Sequence, residues 1–208
     1  HHPLMIERFM ALGLDADVLL DKPYPRPRLN ADVEKAGELL TEFQLTDSGA
    51  VALCPGAEFG PAKRWPKEHF ASLARTLVSR GHQVWLFGAM SDFPVCTEIE
   101  SLVPEGVVNL AGKTSLTDVV DLMSRADRVV SNDSGLMHVA AALEKPLVAL
   151  YGSTSPDFTP PLSDSARVLR VELDCAPCFQ RQCPLRHLNC LQLLTPDRVL
   201  CALDDMGE

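Results

Sequence analysis

Residues 50–88 read AVALCPGAEFGPAKRWPKEHFASLARTLVSRGHQVWLFG, and this stretch decides the fold. Ala50–Cys54 is a short apolar run stopped by Pro55-Gly56, the pattern of a buried strand. Pro66 opens a helix, because its missing N–H is no loss at the first helical position. Phe70, Leu73, Ala74, Leu77 and Val78 then recur at the i, i+3, i+4, i+7, i+8 spacing of one helical face. Gly81 fits the position just past the helix end, and residues 83–87 form the next strand, closed by Gly88.

The same alternation runs on downstream. Strands are expected at 107–109, 128–131 and 147–151, and helices at 94–102, 135–143 and 196–203, with a further helix whose apolar face is Leu116, Val119, Val120 and Met123. Ser115 and Asp118 have the spacing of a capping box. Upstream the alternation is missing. Pro23, Pro25 and Pro27 force residues 21–28 into extended or turning backbone, with short helices expected at 6–12 and 33–40. Residues 1–48 therefore read as an interdomain arm, and residues 49–208 as one domain. Strands alternating with helices imply parallel pairing and right-handed crossovers. The fold class is α/β, a Rossmann-like open parallel sheet with helices on both faces. Ligands bind such sheets at the carboxyl ends of strands, which selects the loops 55–65, 88–93 and 132–138.

With 46% hydrophobic and 23% charged residues among 208, the chain has the composition of a folded globular protein. No apolar run reaches the roughly 18–20 residues that span a bilayer, and no signal peptide is visible. The chain opens on His1-His2 rather than Met, as a fragment or processed chain would. Its net charge of -9 argues against nucleic acid as a partner, while leaving room for one anionic ligand at a local cluster of donors.

In the loop 55–65, small residues after a strand let a ligand approach the backbone, and Lys63 and Arg64 bring positive charge to a helix start. A solvated basic pair on a surface loop is the plainer reading. Residues 131–138, Ser-Asn-Asp-Ser-Gly-Leu-Met-His, lie where a strand passes into a helix. Exposed N–H groups there can hold a pyrophosphate, and Gly135 permits close approach. Asp133 or Ser134 could equally be a simple N-cap, and His138, one turn into the helix, a half-buried histidine. Asp92, in the loop 88–93, could accept hydrogen bonds from ribose or sugar hydroxyls, or merely mark a helix entry.

The runs 54–66 and 131–143, extended by 150–162, resemble the ADP-heptose:lipopolysaccharide heptosyltransferases, and the resemblance covers residues 49–205. It implies a two-domain GT-B enzyme of which this chain is the carboxy-terminal, nucleotide-sugar-binding half, the amino-terminal acceptor domain being missing. The implied reaction is inverting, metal-independent transfer of heptose from ADP-heptose to the lipopolysaccharide core, with no cofactor. Carried over by motif, Lys63 contacts the donor diphosphate, Asp92 lies near the donor, and Asp133, Ser134, Gly135 and His138 form the diphosphate and sugar loop. Two further donor contacts fall on Glu58 and Thr114. The general base belongs to the acceptor domain, so the chain alone is expected to bind donor without transferring it. A cytoplasmic location follows, with peripheral association at the inner membrane.

Two rivals remain. A Rossmann-type oxidoreductase lacks its glycine-rich turn and the acidic residue about 20 positions beyond. A non-catalytic nucleotide- or zinc-binding module would centre on Cys175, Cys178, Cys183 and Cys190. Their C-x2-C-x4-C-x6-C spacing, with His187 inside, could complete a tetrahedral zinc site. It is not a standard ribbon, and without an export signal reduced thiols are preferred, so no metal site is assigned. The remaining cysteines, Cys54, Cys96 and Cys201, read as ordinary buried thiols.

Overall fold

The computed structural model describes residues 4–15, 20 and 23–206. Asp21 and Lys22, at the start of the proline-punctuated stretch, lie outside the described residues, as do His1, His2 and Pro3. Six parallel strands form one sheet: β1 (Ala50–Cys54), β2 (Gln83–Leu86), β3 (Val107–Asn109), β4 (Arg128–Asn132), β5 (Leu147–Tyr151) and β6 (Ala166–Arg170). Their spatial order is β3-β2-β1-β4-β5-β6. The register sets Val51 beside both Val84 and Arg128, and Val130 beside Val148.

Eight helices accompany the sheet among the described residues: α1 (Met5–Ala11), α2 (Val33–Glu42), α3 (Lys67–Ser79), α4 (Phe93–Leu102), α5 (Leu116–Arg125), α6 (Gly135–Ala142), α7 (Asn189–Gln192) and α8 (Pro196–Asp204). Successive side chains of a strand point to opposite faces, and the core divides accordingly. Val51, Leu53, Val84 and Leu86 pack with Phe70, Leu73 and Leu77 of α3, Ile99 of α4 and Val199 of α8. Ala50, Ala52, Trp85 and Phe87 pack with Val119 and Leu122 of α5 and Met137 of α6. Helices thus cover both faces, which is why β1 and β5 are apolar and buried throughout rather than alternating.

The caps follow the expected chemistry with one adjustment. Ser115 accepts the Asp118 N–H at 3.2 Å, while the Asp118 carboxylate accepts the Ser115 N–H at 2.8 Å, a complete capping box. Pro66 is the N-cap of α3, so that helix begins at Lys67. Residues 33–42 do more than link. Leu39 and Leu40 of α2 enter the core beside α5, and the Asp32 N–H donates to the Asp121 carboxylate at 2.8 Å. Strand β6 has no counterpart in the sequence reading. Its residues, Ala-Arg-Val-Leu-Arg, are half-buried or exposed at the sheet edge, so neither a continuous apolar run nor a clean alternation announces it.

Candidate functional site

Because β1 and β4 are neighbours whose following helices, α3 and α6, lie on opposite faces, the crevice beyond their carboxyl ends is the topological switch point of the sheet. The loops 55–65 and 132–138 meet there, and the loop 88–93 follows the adjacent strand β2. Asn132, fully buried, joins the first two. Its side-chain amide donates to the Pro55 carbonyl at 2.8 Å, and its side-chain oxygen accepts the Trp65 N–H at 3.1 Å. The ends of the Lys63 loop are therefore fixed to β4.

Lys63 Nζ lies 2.6 Å from Asp133 Oδ2, and both side chains are largely withdrawn from water, 13% and 4% exposed. Asp133 also accepts a hydrogen bond from the Thr154 hydroxyl. Its side chain caps nothing: the N-cap of α6 is Ser134, which makes no side-chain cap bond either. The carboxylate instead holds the ammonium at the mouth of the crevice, and the first-turn N–H groups of α6 keep no side-chain partner at the N-cap. Gly135 stands at the start of that helix, exposed, and a β-carbon there would meet no other atom within 4 Å. Nothing inside the protein requires glycine at this position, whereas a ligand approaching the helix backbone would.

Asp92 is buried and accepts the Ala89 N–H at 3.1 Å. Arg64 reaches it at 3.5 Å and also donates to the Ala57 carbonyl. A side chain at Gly56 would collide with the Asp92 carboxylate, so the loop 88–93 rests directly on the loop 55–65. His138 presents its ring at the surface of α6 and lines an apolar groove of about 250 Å³ with Met5, Ile6, Phe9, Phe158 and Leu162. Desolvation by these surroundings holds its pKa below the ordinary 6.5; Asp133 opposes that shift and Lys63 adds to it.

Lys63, Asp92, Asp133, Ser134 and Gly135 thus come together, with His138 one turn along α6. Glu58 is exposed on the same loop, and no hydrogen bond or ion pair of its side chain occurs among the described residues. Thr114 turns its hydroxyl to the Leu110 carbonyl of its own turn at 3.3 Å. Sequence reasoning gave no role to Asn132 or Thr154. The signal for Thr154 was available, since the strand-end rule that selected three loops applies equally to the loop after β5.

The four clustered cysteines line one small cavity of about 20 Å³ together with His187 and Ser153, whose buried hydroxyl has no hydrogen-bond partner. Backbone N–H groups of residues 185–188 point at the Cys183 sulfur and hold its thiol below the ordinary value. Burial and the neighbouring sulfurs raise that of Cys190. Among the described residues no group of three or more His, Cys, Asp or Glu is arranged to hold a metal ion. Cys54 and Cys96 are buried, and burial raises both thiols, Cys96 to about 12. Cys201, expected among the buried thiols, is exposed instead, on the outer side of α8.

A parallel sheet in this strand order, with a charged loop cluster across its switch point, defines a Rossmann-like ligand-binding domain. The chain belongs to glycosyltransferase family 9 (heptosyltransferase), whose sequence profile matches residues 1–189. It is 47% identical over 182 residues to the lipooligosaccharide heptosyltransferase 2 of Haemophilus influenzae, covering 82% of this chain and 53% of that protein. It is 43% identical over 208 residues to the lipopolysaccharide heptosyltransferase 2 of Escherichia coli, covering 95% of this chain and 60% of that protein. The solved structure of E. coli ADP-heptose lps heptosyltransferase II superposes with a TM-score of 0.87 at 42% identity, over 98% of this chain and 62% of that one. The chain therefore spans somewhat more than half the length of these relatives.

Proposed function

We propose that this chain is the donor-binding half of a heptosyltransferase that moves heptose from ADP-heptose to the lipopolysaccharide inner core with inversion. The observation that carries the reading is the convergence of Lys63, Asp133 and the unobstructed start of α6 on the crevice between β1 and β4. The relatives named above, one of them described as an ADP-heptose enzyme, support the choice of donor.

In this proposal the diphosphate lies across the start of α6, against Lys63 and the N–H groups beside Ser134 and Gly135. Asp92 and His138 meet hydroxyls of the donor, with Glu58 and Thr114 at its margin. An acceptor hydroxyl attacks the anomeric carbon, the bond from that carbon to the diphosphate oxygen breaks, and negative charge grows on the departing ADP. Lys63 and the helix donors are already aimed where that charge develops, so they stabilise the transition state more than the ground state. The proton of the acceptor hydroxyl goes to a base on an amino-terminal acceptor domain; no residue of this chain is assigned to that task. Residues 1–48 are the arm between the two halves. The location is the cytoplasm, at the inner face of the membrane. No helix among the described residues is long and apolar enough to cross a bilayer.

Calorimetric titration tests the donor reading. ADP and ADP-heptose are expected to bind and NAD is not. Binding of NAD without ADP-heptose would turn the reading to an oxidoreductase.

A further inference from the structure

The charges described so far fall short of what a dianionic diphosphate requires. Lys63 is neutralised by Asp133 at 2.6 Å and Arg64 by Asp92 at 3.5 Å, and Glu58 adds a further negative charge on the same loop. Two cations face three anions. The dipole at the start of α6 contributes about half a unit of positive charge, which leaves the set short for a ligand carrying two negative charges or more.

A further cation stands beside this set. Arg181 belongs to the irregular segment between β6 and α7, more than a hundred residues from the Lys63 loop in sequence. Its carbonyl accepts the Ala62 N–H at 3.1 Å. Gly60 passes so close that a β-carbon would lie 2.6 Å from that same carbonyl oxygen, with φ at 149. The two backbones are in direct contact, and Arg181 is held where the Lys63 loop is held. Its exposed guanidinium sits 5.5 Å from the centre of the Phe59 ring, and Lys63 Nζ sits 5.0 Å from the same centre. Through the ring they share, the two cations are at most about 10.5 Å apart. A diphosphate taking charge-assisted hydrogen bonds of ~2.8 Å from each can bridge such a gap. Among the described residues Arg181 has no carboxylate partner, unlike Lys63 and Arg64.

We infer that Arg181 is a donor-binding residue, a guanidinium that closes over the diphosphate from the side opposite α6, with Phe59 as the platform that orients it. The inference rests on the proposed donor site. Its backbone and side chain have separate tasks: the carbonyl braces the Lys63 loop, and the guanidinium meets phosphate. Side-chain substitution therefore removes the second without the first.

The test is the affinity of Arg181→Ala for ADP, AMP and adenosine, with Arg181→Lys and Lys63→Ala in parallel and thermal melting as the check on folding. Arg181→Ala is expected to weaken ADP binding by roughly tenfold or more, AMP by less and adenosine not at all, with an unchanged melting temperature. Arg181→Lys should recover part of the loss, because a point charge replaces a bidentate fork. The salt dependence of ADP binding should become shallower in Arg181→Ala, because a screened interaction has been removed. Equal weakening for adenosine would make Arg181 structural and overturn the inference. If Lys63→Ala weakens ADP and Arg181→Ala does not, Arg181 alone is excluded. If neither variant affects ADP, the donor site itself is wrong.

Discussion

The Lys63 loop and the cysteine-rich segment touch each other at Gly60, yet they are built on opposite plans. The Lys63 loop leaves one strand and enters a helix within thirteen residues, and its ends are pinned by Asn132 to the neighbouring strand. The segment 171–188 has no strand or helix at all. Its backbone takes left-handed turns at Phe179, Arg186 and Leu188. A loop that long without regular structure is uncommon in a compact domain unless it has a task. The lesson is a division of labour. The sheet presents the charges at its switch point, and the irregular segment braces those charges from outside.

The largest expected effect breaks the first half of that comparison. Lys63→Ala should lower heptosyl transfer roughly 100- to 1000-fold in an enzyme carrying this domain, the loss seen when one preorganised donor to a developing oxyanion is removed. Steady-state kinetics that stay unchanged would reduce the loop cluster to a structural ion pair.

Asp133→Asn comes next. Were Asp133 only a helix cap, Asn would replace it at almost no cost, because both cap well. Here its carboxylate neutralises a lysine that is only 13% exposed. Removing the charge leaves that ammonium poorly compensated, and stability should fall by roughly 3 kcal/mol. Urea unfolding measures this directly, and a change within experimental error would restore the cap.

Two glycine substitutions then separate bracing from binding. Gly60→Ala forces a side chain against the Arg181 carbonyl at a left-handed φ, and should cost about 1–3 kcal/mol. Gly135→Ala meets open space and should leave stability within about 0.5 kcal/mol, while weakening ADP if, as proposed, the diphosphate lies against the start of α6. Melting curves and ADP titrations on the same two proteins decide this. Should Gly135→Ala bind ADP normally, the diphosphate does not lie on α6.

What could be read from the sequence follows the same division. Strands β1, β2, β4 and β5 are legible as short apolar runs bounded by turn residues, and helices α3 and α5 because each buries a periodic apolar face. The three strand-end loops then follow from topology alone. Strand β6 escapes because it is an edge strand with Arg167 and Arg170 at exposed or half-exposed positions. The pairing of Lys63 with Asp133 is hidden because it depends on which loops become neighbours. That is a property of strand order, and no local spacing encodes it. Contact between Gly60 and Arg181 is hidden for a stronger reason, since irregular backbone has no period. Thr195 occupies the N-cap of α8, yet its hydroxyl makes no cap hydrogen bond.

The smallest expected effect belongs to His138, which stands on α6 beside the groove lined by α1 and Phe158. Desolvation lowers its pKa from the ordinary 6.5, outweighing the pull of Asp133. In the folded chain the imidazole therefore takes up its proton at lower pH than it does in the unfolded chain. Between those two values the unfolded state binds more protons, so stability falls as pH drops through 6.5 and is fully present above it. The effect is modest, because the ring keeps an edge in water. His138→Gln should flatten this part of the stability–pH profile and leave the acid-side decline from the carboxylates in place. Function should respond through the same group. Above 6.5 a neutral imidazole offers one donor and one acceptor to a sugar hydroxyl, whereas the imidazolium offers only donors. ADP-heptose affinity should therefore weaken on acidification more than ADP affinity does, because only the former brings the heptose. If the two ligands weaken in parallel, His138 serves the groove and not the sugar.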